Sequence, residues 1–396
     1  MAKKIALVTP WPPQASGIAD YAYNLVSHIT GPSLIVHVIT NERAPAALPG
    51  VFFHHVEDIS EGRFDFADFD AIIVQMGNHP HFHGYMLDII KKYPCTVELH
   101  DLLLHHCVMG ESGMSNGGGQ YYKWIENAYG SSVADRFRSF LEKDGDILKC
   151  PIAGVYPCSD VVVRDADHVV VHSMYAKNAL IQSGLISDIS VVPLCYSASH
   201  FERAVRFEGA VVRIGVFGGI QKNRQVDVIL GALGNIDSKF KNWTLELVGD
   251  IDGDCGELLE KPGSLGISEK VKFHGRLALD KLEECMSGCD IVISLRSPTM
   301  GETSGVVVRA LKMGAVSIVS NVGWYSELPE FVFKIENEDA RENLEKILFE
   351  LLINSNLRED ISRKTQDYAS QYFDLRVSSD DIVYTALYEV PCIKQQ

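Results

Sequence analysis

Residues 3–40 read KKIALVTPWPPQASGIADYAYNLVSHITGPSLIVHVIT, and their pattern decides the fold class. IALVT (5–9) and LIVHVIT (34–40) are short, β-branched and apolar on both faces, as a strand inside a parallel sheet must be. Between them, Ile18, Tyr21, Leu25, Val26 and Ile29 fall on one stripe at helical spacing. A strand, a helix and a second parallel strand make one right-handed crossover unit. The same grammar continues through AIIVQM (71–76), CTVELHD (95–101) and HVVVHS (168–173). The stretch from 103 to 166 breaks the pattern with helical pieces around glycines, GMSNGGGQYY among them, and is expected to hold loops above the sheet.

Strand signals stop over VVPLCYSASHFERAVRFEGA (191–210) and restart at VRIGVFG (212–218). WTLELVGD (243–250), KVKFHG (270–275), DIVISLR (290–296) and VSIVSN (316–321) follow, with helical segments between them. The expectation is an α/β protein of two doubly wound Rossmann-like domains facing a cleft, 1–195 and 211–396, with 196–210 as linker. The amphipathic tail from 342 closes the second domain, and its last helix is free to pack back on the first.

At 396 residues, 46% hydrophobic and 22% charged, the chain has the composition of a globular protein with more than one core. A net charge of −16 argues against a broad grip on nucleic acid or anionic lipid. The nine cysteines are odd in number and never spaced C-x-x-C, so neither a disulfide framework nor a structural zinc site is expected, and a reducing cytoplasm fits. The amino-terminal apolar run is too short for a signal peptide and no run reaches a membrane span, which suggests a cytoplasmic protein, at most peripheral on the inner face of a membrane.

In tandem α/β domains the residues after strands are the first candidates for chemistry. SLRSPTMGETSGVVVRALKMG (294–314) offers Glu302 in a loop, then Thr303, Ser304 and Gly305 opening a helix whose amides suit phosphate; alternatively Ser304 only caps the helix. VFGGIQKNRQVDVILGAL (216–233) ends a strand in Gly218 and Gly219, with Lys222 and Arg224 just before a helix, where cations oppose the helix dipole unless an anion is present. His100 and Asp101 end the strand CTVELHD, and Ser16 and Gly17 allow close approach of a ligand to the first loop, with Asp20 behind them.

The order of these segments, with VVPL upstream, NVGWYSELPE downstream and TPWPPQASGIADYAYNL and VELHDLLLHH in the first half, resembles the family 4 (group 1) retaining glycosyltransferases of GT-B fold. The resemblance implies a nucleotide diphosphate sugar as donor substrate, a glycan or lipid-linked glycan as acceptor, no cofactor and no metal. It assigns catalytic roles to Glu302 and His100. Donor binding would fall to Ser16, Gly17, Gly218, Gly219, Lys222, Arg224, Thr303, Ser304, Gly305 and Arg309. Asp20, Asp101 and His105 would lie on the acceptor side. Two positions depart from the family: Gly219 stands where an Arg is usual, and Arg309 stands where a second Glu would hold the ribose, which a guanidinium with only donors cannot do. The implied activity is metal-independent sugar transfer with retention; a silent nucleotide-sugar-binding protein, a sugar epimerase and a phosphorylase are the alternatives. Two patterns look metal-like: His79, His81 and His83 alternate in GNHPHFHG without a Cys or carboxylate to complete an obvious set, and DIDGDCGELLEK (250–261) begins like a calcium loop but lacks its Gly and Glu.

Overall fold

The computed structural model describes residues 2–112, 119–185, 188–197 and 209–389. The described chain divides into two units. The first holds the residues up to Cys195, Met300–Thr303 and those from Leu375 on; the second holds Tyr196–Thr299 and Ser304–Asp374.

The first unit is built on strands β1 (Lys3–Val8), β2 (Leu34–Thr40), β3 (Val51–His55), β4 (Ala71–Met76), β5 (Thr96–Leu99), β6 (His168–Val171) and β7 (Asp188–Val191), all parallel, in the order β3-β2-β1-β4-β5-β6-β7. Every residue of β4, β5 and β6 is buried, because helices cover both faces of a parallel sheet. The crossover helix Gly17–Ile29 starts at Ser16, whose hydroxyl accepts from the Ile18 N–H, and buries Tyr21, Leu25 and Val26. The carboxy-terminal helix Leu375–Tyr384 packs against it and buries Ile382.

The region expected to hold loops, 103–166, carries helices at His105–Glu111, Gly119–Tyr129 and Ser131–Asp144, and Tyr121, Ile125 and Phe137 from them are wholly buried in the core. Their apolar residues recur at helical spacing, and that periodicity outweighs the nearby glycines. The glycine-rich run itself, 113–118, lies outside the described residues, as do 198–208 of the expected linker.

The second unit repeats the plan with β8 (Val212–Phe217), β9 (Trp243–Val248), β10 (Val271–Phe273), β11 (Ile291–Ser294), β12 (Val316–Ser320) and β13 (Phe333–Ile335), parallel and ordered β10-β9-β8-β11-β12-β13. The strand order reverses at β8, which lies between β9 and β11. Crevices at such a switch point are where open α/β sheets bind ligands. No helix among the described residues is long and apolar enough to cross a membrane.

Candidate functional site

In the second unit the carboxyl ends of β8, β9 and β11 carry the candidate donor residues. Gly218 has φ 95° and Gly249, after β9, has φ 148°, and a Cβ on Gly249 would lie 2.2 Å from the Gly218 carbonyl oxygen. The two strand ends therefore approach more closely than side chains allow. Arg224 folds over Gly218: its guanidinium donates to the Phe217 carbonyl at 3.0 Å and would lie 2.8 Å from a Cβ on Gly218. Gly219 is open, with nothing closer to its Cβ position than the Asp250 carbonyl oxygen at 3.9 Å. Lys222 points to solvent and pairs with Asp254 at 3.3 Å, an exposed contact of little energetic weight. The helix Val226–Asp237 then begins from Gln225 without a side-chain cap.

The loop after β11 is tied to the one after β8 by the Ser297 N–H, which donates to the Asn223 carbonyl at 2.8 Å. Ser304 caps the helix Gly305–Lys312 by accepting from the Val307 N–H at 3.3 Å. Gly305 is required to be small, since a Cβ there would meet the Tyr196 hydroxyl at 2.3 Å. The Arg309 guanidinium stacks on the Tyr196 ring at 3.5 Å, reaches Glu283 Oε1 at 3.4 Å and donates to the Gly305 carbonyl at 3.5 Å, while its Nη2 is buried with no hydrogen-bond partner among the described residues. Tyr196 itself, expected to open a linker, is buried, and the Lys312 ammonium donates to its carbonyl at 2.6 Å. A buried cation absent from the expected set, Arg296, lies two residues past the end of β11 and donates to the Leu295 carbonyl at 2.8 Å.

In the first unit the candidates gather after β1, β4, β5 and β6. Gly17 opens its helix with nothing within 4 Å of its Cβ position, and Asp20 lies in the first turn. The His100 ring contacts Tyr21 at 5.1 Å and His172 at 4.8 Å between centroids, and its Nε2 is buried with no hydrogen-bond partner among the described residues. Burial first, then the neighbouring His172 and His83, hold His100 well below the ordinary imidazole value, so it is neutral at pH 7. Beneath it, the buried Glu98 carboxylate accepts from the Tyr21 hydroxyl at 2.6 Å and from the Gln75 amide at 2.8 Å, with His172 Nε2 at 3.5 Å. Sequence spacing gives no sign of this network, because its members come from four separate segments.

Asp101 accepts from the Asn78 N–H at 2.8 Å and is pushed up to about 6 by burial, against that hydrogen bond and with help from the Glu302 charge. Glu302 sits in the Met300–Thr303 segment, which docks on the loop after β5: the Leu103 N–H donates to the Met300 carbonyl at 3.0 Å, and a Cβ on Gly301 would strike Leu102 at 2.5 Å. Glu302 Oε2 accepts from the Met300 N–H at 2.9 Å, and the Thr303 hydroxyl reaches the His172 carbonyl at 3.4 Å. Asp101, Glu302 and Thr303 thus come together in one unit although about 200 residues separate them.

His105, expected on the acceptor side, is wholly buried. Its Nδ1 lies 3.0 Å from the Tyr121 hydroxyl and 3.1 Å from Cys158 Sγ, its Nε2 3.3 Å from the Ala153 carbonyl oxygen, and burial lowers it to about 4. It faces inward because the amphipathic helix His105–Glu111 turns its first residue to the core. His79, His81 and His83 span a single helical turn, with His83 Nδ1 bonded to the His79 carbonyl, and do not converge as a ligand set among the described residues. The acidic loop at 250–254 runs beside the loop after β8, with the Ile220 N–H donating to the Asp250 carbonyl at 2.7 Å.

Residues 211–352, spanning β8 through β13, match the family model described as "Glycosyl transferases group 1". No curated protein sequence matches the chain. The two-domain fold is that of GT-B glycosyltransferases. A crystal structure of HepE from Anabaena in complex with UDP and glucose superposes with a TM-score of 0.66 at 16% identity, covering 97% of this chain and 99% of that one. Sucrose-phosphate synthase of Thermosynechococcus elongatus gives 0.66 at 15% identity, covering 98% and 99%. WaaG, a glycosyltransferase involved in lipopolysaccharide biosynthesis, gives 0.63 at 13% identity, covering 97% and 100%.

Proposed function

We propose that this protein is a retaining, metal-independent glycosyltransferase that moves a sugar from a nucleotide diphosphate to a hydroxyl of a glycan or lipid-linked glycan acceptor. The observation that carries the reading is the switch point of the second unit, where the glycine turn under Arg224 and the loop leading to the Ser304-capped helix leave neighbouring strands and are joined by the Ser297–Asn223 hydrogen bond. It falls inside the segment matched to group 1 glycosyl transferases.

In this reading Gly218 and Gly219 let the backbone approach the diphosphate. Arg224, Lys222 and the amides at Ser304 and Gly305 neutralise the leaving group as an oxocarbenium-like sugar forms. Glu302 and Thr303 orient the sugar, and His100, kept neutral by burial, donates or accepts a hydrogen bond without bringing a charge. Asp101, raised toward 6, and Asp20 line the acceptor side. Because HepE is described with UDP-glucose, that nucleotide sugar is the first donor to try.

The test is release of nucleotide diphosphate from a donor panel, expected to be slow without acceptor, faster with it, and unchanged in excess EDTA, with retained anomeric configuration in the product by NMR. Glu302→Gln should cut turnover and leave binding of free nucleotide diphosphate nearly intact. Binding of nucleotide sugar with no release under any acceptor would leave only a binding protein, and alteration of the sugar on an intact nucleotide would indicate an epimerase.

A further inference from the structure

Of the eight described cysteines, seven are buried, and Cys285 is the exception. It lies on the last turn of the helix Leu279–Ser287, and Cys289 follows just beyond the helix end with its Sγ 3.3 Å from the Cys285 carbonyl oxygen. The turn between them passes under Arg213, whose Nη1 would be 2.5 Å from a Cβ on Gly288. Arg213 reaches Glu246 at 3.4 Å, and Glu246 holds His274 at 2.6 Å, so a cationic side chain and an imidazole border the thiol pair.

These surroundings divide the roles. The Cys285 thiol is held below the ordinary thiol value, first by the hydrogen bond from Cys289, with His274 and Arg213 adding to it against burial and the Glu246 charge. Cys289 is held well above that value, by its hydrogen bond to Cys285 and by burial. One sulfur is therefore disposed to be a thiolate with access to solvent, and its neighbour is a protonated thiol. Elsewhere burial makes thiols inert, with Cys95 and Cys107 pushed up to about 12.

We propose that Cys285 is a hydroperoxide-reactive modification site and that Cys289 is its resolving thiol. The Cys285 thiolate attacks one peroxide oxygen and the O–O bond breaks, giving the Cys285 sulfenic acid and hydroxide; sulfur is oxidised and the peroxide reduced. Cys289 sulfur then attacks Cys285 sulfur. The S–S bond forms, the S–O bond breaks, and the hydroxyl leaves as water with the Cys289 proton. A disulfide needs a Cβ separation of about 3.8 Å, less than the ~5–6 Å of residues four apart inside a helix. Gly288 and Cys289 lie past the last helical residue, so the turn can tighten without breaking the helix.

The test uses the full reduced chain in EDTA with limiting hydrogen peroxide, followed by blocking of free thiols, tryptic digestion and mass analysis. Cleavage after Lys281 and Arg296 leaves both cysteines in one peptide, 282–296. That peptide should appear two hydrogens lighter, unblocked, and recover on reduction with dithiothreitol. In Cys289→Ser, or in Cys289→Ala if the serine variant does not fold, dimedone should trap a sulfenic acid on Cys285. Iodoacetamide should alkylate Cys285 on the order of 10-fold faster than the seven buried cysteines at neutral pH. Oxidation that starts at any buried cysteine, over-oxidation of Cys285 in the unaltered chain without a disulfide, or a bridge between two chains would each overturn the assignment.

Discussion

Arg309 illustrates how a residue can be found by sequence and placed only by structure. Its position in ETSGVVVR marks it as a cation one turn into a ligand-facing helix, but spacing carries no information about Tyr196 or Glu283, which clasp its guanidinium. Those contacts make it a stabilising residue of the second unit in addition to any part in binding. Arg309→Ala should cost about 1–3 kcal/mol in urea unfolding, because it removes a cation–π contact and strands a partly buried carboxylate. Nucleotide diphosphate binding should fall by less than the stability does; a binding loss with unaltered stability would assign the guanidinium to the phosphate. Gly249 makes a second point at the same scale. With φ 148° and the Gly218 carbonyl in the way, Gly249→Ala should lose 2 kcal/mol or more, on the order of a strained backbone plus an overpacked contact. A variant with an unchanged urea midpoint would mean that the two strand ends can move apart freely.

At the level of elements, the long apolar runs were legible because parallel strands buried on both faces have no other composition open to them. Of the four edge strands only Val271–Phe273, within KVKFHG, was legible, and three were not. Val51–His55 is half exposed and mixes Phe with His, Asp188–Val191 begins with an exposed Asp, and Phe333–Ile335 is three residues long, so none shows the continuous apolar signature. Edge strands are polar and short for a reason, since an apolar edge would recruit other chains. The site divides the same way. Glycines, caps and cations at strand ends were found from local pattern, whereas Glu98 with Tyr21 and His172, and Glu302 with Asp101, depend on contacts 74 or more residues apart that only the folded sheet defines.

For the whole molecule, buried histidines set the response to acid. His83 and His105 are lowered to about 4, and His100 and His172 are lowered too, all chiefly by burial. A histidine with a depressed folded value binds its proton first in the unfolded chain, so its contribution is present above about pH 6.5 and is lost as pH falls toward 4. For His83 and His105 the ceiling is on the order of 3 kcal/mol each. Asp101 acts with the opposite sign, since a carboxyl raised to about 6 favours the folded state at low pH and loses that advantage as pH climbs from 4 to 6. With His37, His54, His79 and His106 also lowered, and Glu111, Asp160 and Asp167 also raised, eight histidines stand against four carboxyls, so the urea midpoint should drop between pH 7 and pH 5. A midpoint that rises over that interval would show that the imidazoles are protonated in the folded state.

The chain leaves the first unit at Cys195, re-enters it briefly at Met300–Thr303 and returns to it at Leu375, so both β1 and the last described helix belong to the same body. Tension applied between residues 2 and 389 therefore enters and leaves through the first unit, and along the chain it reaches the second only after the first has opened. In an optical trap with handles at residues 2 and 389, the first rupture should be that of the first unit, and stabilising the second with nucleotide should leave the first rupture force unchanged. A nucleotide-dependent first rupture would mean that load reaches the second unit before the first gives way.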